Sequence, residues 1–156
     1  MSTIQVTNIN DLSDNAALVT DNGGIKTDKL TGKTTAGSIS VVGEGNSTTT
    51  NLQQGLAKAW ANFDGASSGI PINDSFNVSG NTDNGTGDYT ITYSNAMGNG
   101  NYSLTGVGQA GGGSSVMGLA VNQTGGLTTA SARIFTKTGS PADSDLVTST
   151  INGDLA

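Results

Sequence analysis

The chain of 156 residues has no cysteine, no histidine and only two prolines. Without cysteine there is no disulfide scaffold, zinc ribbon, iron–sulfur cluster or thiol nucleophile. Without histidine the commonest general base and metal ligand is missing. Positive charge is also scarce: six Lys and Arg stand against twelve Asp and Glu, for a net charge of −6, and Arg133 is the only arginine. Phosphate backbones and anionic lipid surfaces both require dense Lys/Arg, so the composition argues against nucleic acid and membranes as partners. No apolar stretch approaches the ~18 residues of a membrane span. Residues 1–10 lack the basic start and apolar run of a secretory signal, and the missing cysteine fits cytoplasmic synthesis.

Large apolar side chains are few as well. Leu, Ile, Val and Phe supply only about one residue in five, near the level at which chains fail to fold. In their place Gly, Thr, Ser and Asn make up about half of the sequence. Thr, Val, Ile and Tyr favour strands, and Gly and Asn favour the turns between them. Good helix formers are sparse. An all-β fold with a thin core is the expected product, and a thin core is often completed by a neighbouring copy of the chain.

Two regions meet near Asn51. In residues 1–51, Ile4 and Val6 alternate with polar neighbours, Asp21-Asn22-Gly23-Gly24 carries hairpin-turn chemistry, and 38–42 reads as a short strand. Residues 43–50 (GEGNSTTT) read as a flexible linker. Lys26, Lys29, Lys33 and Lys58 read as a solvated face, with a docking patch for an acidic partner as the sharper alternative.

Residues 52–156 have the beat of an antiparallel β-sandwich or small barrel. Residues 56–63 (LAKAWANF) place Ala57, Ala59, Ala61 and Phe63 on one strand face and Lys58, Trp60 and Asn62 on the other, with a short helix as the alternative because Ala and Lys favour it. Residues 72–78 form one alternating strand that turns Asp74 inward, where Arg133 or a backbone donor would have to satisfy it. Residues 80–87 read as a turn, and Tyr89, Ile91 and Tyr93 mark the clearest strand. Strands follow at 102–105, 116–121, 129–137 and 146–151, and the glycine-rich run 106–115 reads as a loop, mobile at Gly111-Gly112-Gly113.

The candidate chemistry is thin. Asp83-Asn84-Gly85-Thr86-Gly87-Asp88 offers oxygen ligands for Ca²⁺, but without the EF-hand spacing or its closing Glu, so a hairpin turn is the simpler reading. Asp143-Ser144-Asp145 reads as a solvated loop. Eleven of the twelve acids are Asp, nearly all in turn-like contexts, which disfavours a glycosidase pair. No Ser-x-x-Lys motif replaces the missing histidine, and Gly111-Gly112-Gly113 lacks the Lys-Ser/Thr of a phosphate loop. Trp60, the only tryptophan, reads as core or subunit interface, with stacking on a sugar as the alternative. Glycosylation sequons such as those at Asn46, Asn77, Asn84 and Asn122 are what a chain rich in Asn, Ser and Thr produces by chance. No catalytic, cofactor-binding or metal-ligating residue is assigned.

Gly55-Leu56-Ala57-Lys58-Ala59-Trp60-Ala61-Asn62-Phe63-Asp64-Gly65 resembles the G-x-A-K-A-W-x-N-F-[ND]-G signature of short tail-fibre-like virion proteins of tailed phages, of the marine phage and cyanophage type. The resemblance continues through 74–79, 82–91, 95–97, 133–136 and 145–154, and so covers roughly residues 52–154. It implies a virion structural protein without enzymatic activity or cofactor. The expected assembly is a homotrimer whose residues 1–51 dock onto a tail adaptor, baseplate or capsid. Its residues 52–156 would project as a β-domain towards a host surface polysaccharide or outer-membrane receptor, from a protein made in the host cytoplasm. Without a long shaft or coiled coil, a capsid decoration or cement protein or a head fibre is the alternative, and a polysaccharide depolymerase is a third reading.

Overall fold

The computed structural model describes residues 29–32, 38–111 and 115–156. The strand expected around Ile4 and Val6, the turn expected at 21–24, Lys26 and Lys33 lie outside them. The chain divides between Thr31 and Gly32 into two units, and every strand named below belongs to the unit Gly32–Ala156.

A hairpin comes first. β1 (Ser40–Val42) pairs antiparallel with β2 (Thr49–Asn51), Val41 opposite Thr50. The segment expected to be a linker is therefore a closed turn and a strand. Gly43 N–H donates to Thr48 O at 2.8 Å and Asn46 N–H to Gly43 O at 2.9 Å. Thr49 and Thr50 are β-branched and fit the ladder that Val41 and Val42 offer. One helical turn, α1 (Leu52–Gly55), then leads into the main sheet. Asn51 caps it, its Oδ1 accepting from Gln53 N–H at 2.8 Å and Gln54 N–H at 3.2 Å.

The main sheet has eight antiparallel strands: β3 (Ala57–Phe63), β4 (Ile72–Phe76), β5 (Val78–Gly85), β6 (Asp88–Tyr93), β7 (Ser103–Gln109), β8 (Val116–Val121), β9 (Ser131–Lys137) and β10 (Leu146–Asn152). Their order is β4-β3-β10-β7-β8-β9-β6-β5, an all-β, nearly closed barrel or sandwich. The two edge strands, β4 and β5, are consecutive in sequence and separated only by Asn77. One stretch of chain thus pairs first with β3 and then with β6, and carries the sheet from one edge to the other. Asn77 adopts φ 55°, which Asn tolerates better than most residues. Its Nδ2 donates to Lys58 O at 2.9 Å and Asn95 O at 3.1 Å, and its Oδ1 accepts from Asn95 N–H at 2.7 Å.

Three expectations fail in and beside this corner. The strand expected over 72–78 breaks at Asn77, because an alternation of apolar and polar residues does not register a single left-handed residue. Asp74 also faces solvent and not the interior. Phe63 lies opposite Ile72 but Asn62 lies opposite Asp74, so one extra residue on β4 flips the face after Ile72. Asp74 Oδ1 accepts from Ser75 N–H, and Arg133 is engaged elsewhere. Residues 80–85, expected as a turn, instead belong to β5, with register shifts at Val78/Gly80 and Asp83/Gly85.

The glycine run is corrected in part. Gly106, Val107, Gly108 and Gln109 are strand, paired with β10 and β8. A Cβ on Gly106 would lie 2.2 Å from Thr148 O and 2.7 Å from Leu119 Cδ2, so glycine here serves close packing rather than mobility. Residues 112–114 lie outside the described residues.

Inward positions follow the expected alternation. Ala59, Ala61 and Phe63 on β3, Tyr89, Ile91 and Tyr93 on β6, Ala132 and Ile134 on β9, and Val147 and Ile151 on β10 form one continuous core with Ile70, Met97 and Tyr102. Phe63 and Tyr89 meet edge to face at 5.4 Å, Tyr93 and Tyr102 at 6.1 Å. Small residues on β3 let the opposing aromatics fill the interior, which is how few large side chains seal the barrel.

Candidate interaction surface

The register gives the barrel two distinct ends. Asn152 lies opposite both Ala57 and Ser103 at the proximal end, where the β1–β2 hairpin and α1 join. Val147 lies opposite Phe63 and Gly108 towards the distal end.

At the proximal end α1, the start of β3, the end of β4 and the C-terminal segment enclose a cleft of about 740 Å³. Leu56, Phe76, Leu155 and Ala156 supply apolar walls, and Gln54, Lys58 and Asp154 supply polar ones. The C-terminal segment is tied back on 96–98. Gly98 N–H donates to Asp154 O at 2.8 Å, Ala156 N–H donates to Ala96 O at 3.0 Å, and Met97 bridges to Leu155. Gln54 Nε2 donates to Asp154 Oδ1.

Lys58 corrects another expectation. It is not part of a solvated basic face but only 6 % exposed. Its ammonium donates to Gln53 O, which also accepts from Leu56 N–H at 3.3 Å, and at 2.8 Å to Leu56 O, just past the end of α1. Trp60 lies outside the core cluster. It is half-buried on the outer face of β3, opposite Phe76 of the cleft wall and Thr150 of β10.

Five exposed large apolar side chains lie on the hairpin and around this cleft, while Val107, Val116 and Val121 are exposed on β7 and β8, Val116 at the distal end. Val41 and Val42 on the hairpin are 52 % and 55 % exposed, and Leu56, Phe76 and Leu155 around the cleft are 54 %, 51 % and 44 % exposed. All three residues of β1 are exposed, and a lone two-stranded hairpin is at best marginally stable in water. Leu56, Phe76 and Leu155 line one cleft, and exposed apolar surface around a cleft is a candidate interaction site.

The distal end is knitted by polar groups. Gly65 N–H donates to Ser144 O at 2.8 Å, and Gly87 N–H to Asp143 Oδ1 at 2.7 Å. Ser144 is fully buried, its Oγ accepting from Gln109 N–H at 2.8 Å and lying 2.7 Å from Leu146 O. Residues 143–145 are therefore an anchored strap, not the solvated loop the sequence suggests. Burial pushes the Tyr89 phenol up to about 12.

Residues 83–88 form a hairpin end whose two carboxylates have separate tasks. Asp83 Oδ1 accepts from Gly85 N–H at 2.8 Å. Asp88 holds Arg133 in a two-pronged pair, Nε to Oδ1 at 2.9 Å and Nη2 to Oδ2 at 2.8 Å, with Asn122 Nδ2 on Oδ2 at 3.2 Å. The hydrogen bond from Arg133 holds the Asp88 carboxyl below its ordinary range. Among the described residues no three Asp or Glu side chains gather into a metal-binding group.

No protein-family model matches the chain, no curated protein is significantly similar to it in sequence, and no solved structure is significantly similar in fold.

Proposed function

We propose that this chain is the subunit of a homotrimeric, non-enzymatic virion fibre of a tailed phage. In this reading it assembles and docks through its proximal end and displays its distal loops to the host surface. The order of sequence blocks across roughly residues 52–154 is the ground for the phage assignment. The observation that carries the assembly is the gathering of exposed apolar side chains, Val41, Val42, Leu56, Phe76 and Leu155, at the end of the barrel where the β1–β2 hairpin joins. Burial of apolar area stabilises by about 25 cal/mol per Å², so covering the hairpin and cleft by neighbouring copies supplies what the isolated hairpin lacks.

The opposite end carries the connections 64–71, 86–87 and 138–145, which span strand ends of one sheet, and Ala110 and Ser115 lie at the same end. Loops held in this way vary without disturbing the core and are the natural place for receptor contact. Ala110 N–H donates to Ser115 O at 2.9 Å and so closes the β7–β8 connection, the longest glycine-rich stretch.

Labelling intact particles with an antibody to the full chain tests the reading. Label at the tail in a few copies supports the fibre. Label spread over the shell in hundreds of copies replaces it with a capsid decoration protein, and no label on particles overturns the virion assignment.

A further inference from the structure

Four Asn-Gly pairs occur in the chain, at 22–23, 84–85, 99–100 and 152–153, and the last three lie among the described residues. Glycine after asparagine leaves the following backbone nitrogen unobstructed, so such pairs are inherently prone to cyclise. The three described pairs are held in very different ways. From these differences we propose that Asn99 is a self-modification site, converting in the folded protein to aspartate and isoaspartate well ahead of Asn84 and Asn152.

The reaction needs only the chain and water. The Gly100 nitrogen attacks Asn99 Cγ, the new N–Cγ bond forms, the Cγ–Nδ2 bond breaks, and ammonia leaves with the proton that Gly100 carried. Water then opens the five-membered imide. Cleavage of the N–Cγ bond gives aspartate, and cleavage of the bond between the Gly100 nitrogen and the Asn99 main-chain carbonyl carbon gives isoaspartate. One water is consumed, one ammonia is released, and no electrons are transferred.

At Asn99 the backbone lies outside the sheet ladder, and although a Cβ on Gly100 would lie 2.8 Å from Leu127 O, no hydrogen bond among the described residues ties up the Gly100 nitrogen. Asn99 itself is exposed. Asn99 Oδ1 accepts from Asn101 N–H at 2.7 Å. That donor sits where negative charge develops as the nitrogen adds, so it favours the tetrahedral intermediate.

At Asn84 both partners are occupied. Gly85 N–H is donated to Asp83 Oδ1 at 2.8 Å, and Asn84 Nδ2 to Thr90 Oγ1 at 2.9 Å. Attack there must first break these bonds, beside a carboxylate that repels developing negative charge. Asn152 lies in β10 between Ser103 and Ala57, and a Cβ on Gly153 would lie 2.6 Å from Tyr102 Cβ. Its backbone cannot rotate towards ring closure without opening the sheet.

The product has a structural consequence. Gly98, one residue before Asn99, holds the C-terminal segment through its N–H to Asp154 O. A new carboxylate at position 99 adds like charge near Asp154, and isoaspartate lengthens the main chain by one carbon in the loop that grips 154–156. Conversion should loosen that segment at the rim of the proximal cleft.

The test is to age the full chain at mildly alkaline pH, map peptides by mass spectrometry and assay isoaspartate. Asn99 should convert several-fold faster than Asn84 and Asn152 in the native protein, with faster amide exchange at 154–156 in the aged sample. In denaturant the three rates should converge, since the ranking comes from the fold. Asp83→Ala frees Gly85 N–H and should raise the rate at Asn84, while Asn99→Gln should remove the first product and the loosening. Asn84 or Asn152 converting as fast as Asn99 in the native state, the same ranking in denaturant, or an Asn84 rate indifferent to Asp83→Ala would each overturn the proposal.

Discussion

The Tyr89 hydroxyl donates to the Gly65 carbonyl at 2.9 Å, and a Cβ on Gly65 would lie 2.5 Å from that same hydroxyl oxygen. The phenol therefore fixes the β3–β4 connection from inside the barrel, and Gly65 is the residue small enough to admit it. Tyr89→Phe leaves a carbonyl without its donor, and a loss of about 1–3 kcal/mol is expected by chemical denaturation. Gly65→Ala should also destabilise. A Cβ there would also lie 2.6 Å from Tyr89 Cζ, which phenylalanine keeps, so Tyr89→Phe should not rescue Gly65→Ala.

The same phenol sets an alkaline limit. Its folded-state value is raised to about 12, with burial as the main cause, whereas an unfolded tyrosine titrates near 10. The folded state thus keeps a proton that the unfolded chain gives up. The stabilisation is complete below about pH 10 and is lost as pH rises towards 12. Tyr93 and Tyr102 are shifted in the same direction, so Tyr89→Phe should reduce the slope of stability against pH in this window but not abolish it.

Asn77 makes a separable prediction, because it contributes both a backbone conformation and a side chain. Asn77→Gly keeps the positive φ but loses the bonds to Lys58 O and Asn95, and about 1–3 kcal/mol of destabilisation is expected. Asn77→Ala loses the same bonds and also strains the backbone, so it should be less stable again by about 1 kcal/mol. Equal stability of the two variants would show that the left-handed turn is not what joins β4 to β5.

Ser149 carries an unmet polar group. It is buried between Val147 and Ile151, and its Oγ has no hydrogen-bond partner. A buried hydroxyl without a partner costs stability, so Ser149→Ala should be neutral or stabilising by about 1 kcal/mol in denaturant titrations. A clear loss of stability would mean that the hydroxyl is satisfied in solution.

The parts of this fold legible in the sequence are those that depend on side-chain alternation. Ala59, Ala61 and Phe63, then Tyr89, Ile91 and Tyr93, alternate cleanly and do face inward. The boundaries of β8, β9 and β10 also fall within two residues of where the pattern puts them. What the pattern hides is backbone geometry. The left-handed Asn77 and the extra residue opposite the step from Asn62 to Phe63 look like ordinary strand positions, so alternation puts Asp74 on the wrong face. Glycine misleads where it serves packing, as at Gly106. Lys58, Asp143 and Ser144 resemble surface residues, and only the close approach of distant segments makes them caps and straps. The cleft is illegible for the same reason, since it joins residues near 54, 76 and 155.

The central claim is that the proximal apolar surface is covered by neighbouring copies of this chain, and the solution mass of the 156-residue chain tests it most directly. Native mass spectrometry or sedimentation at micromolar concentration should give a trimer, and Val41→Ser with Val42→Ser should shift it towards folded monomer without loss of the β spectrum. A wild-type protein that stays monomeric and fully folded under these conditions would contradict the account.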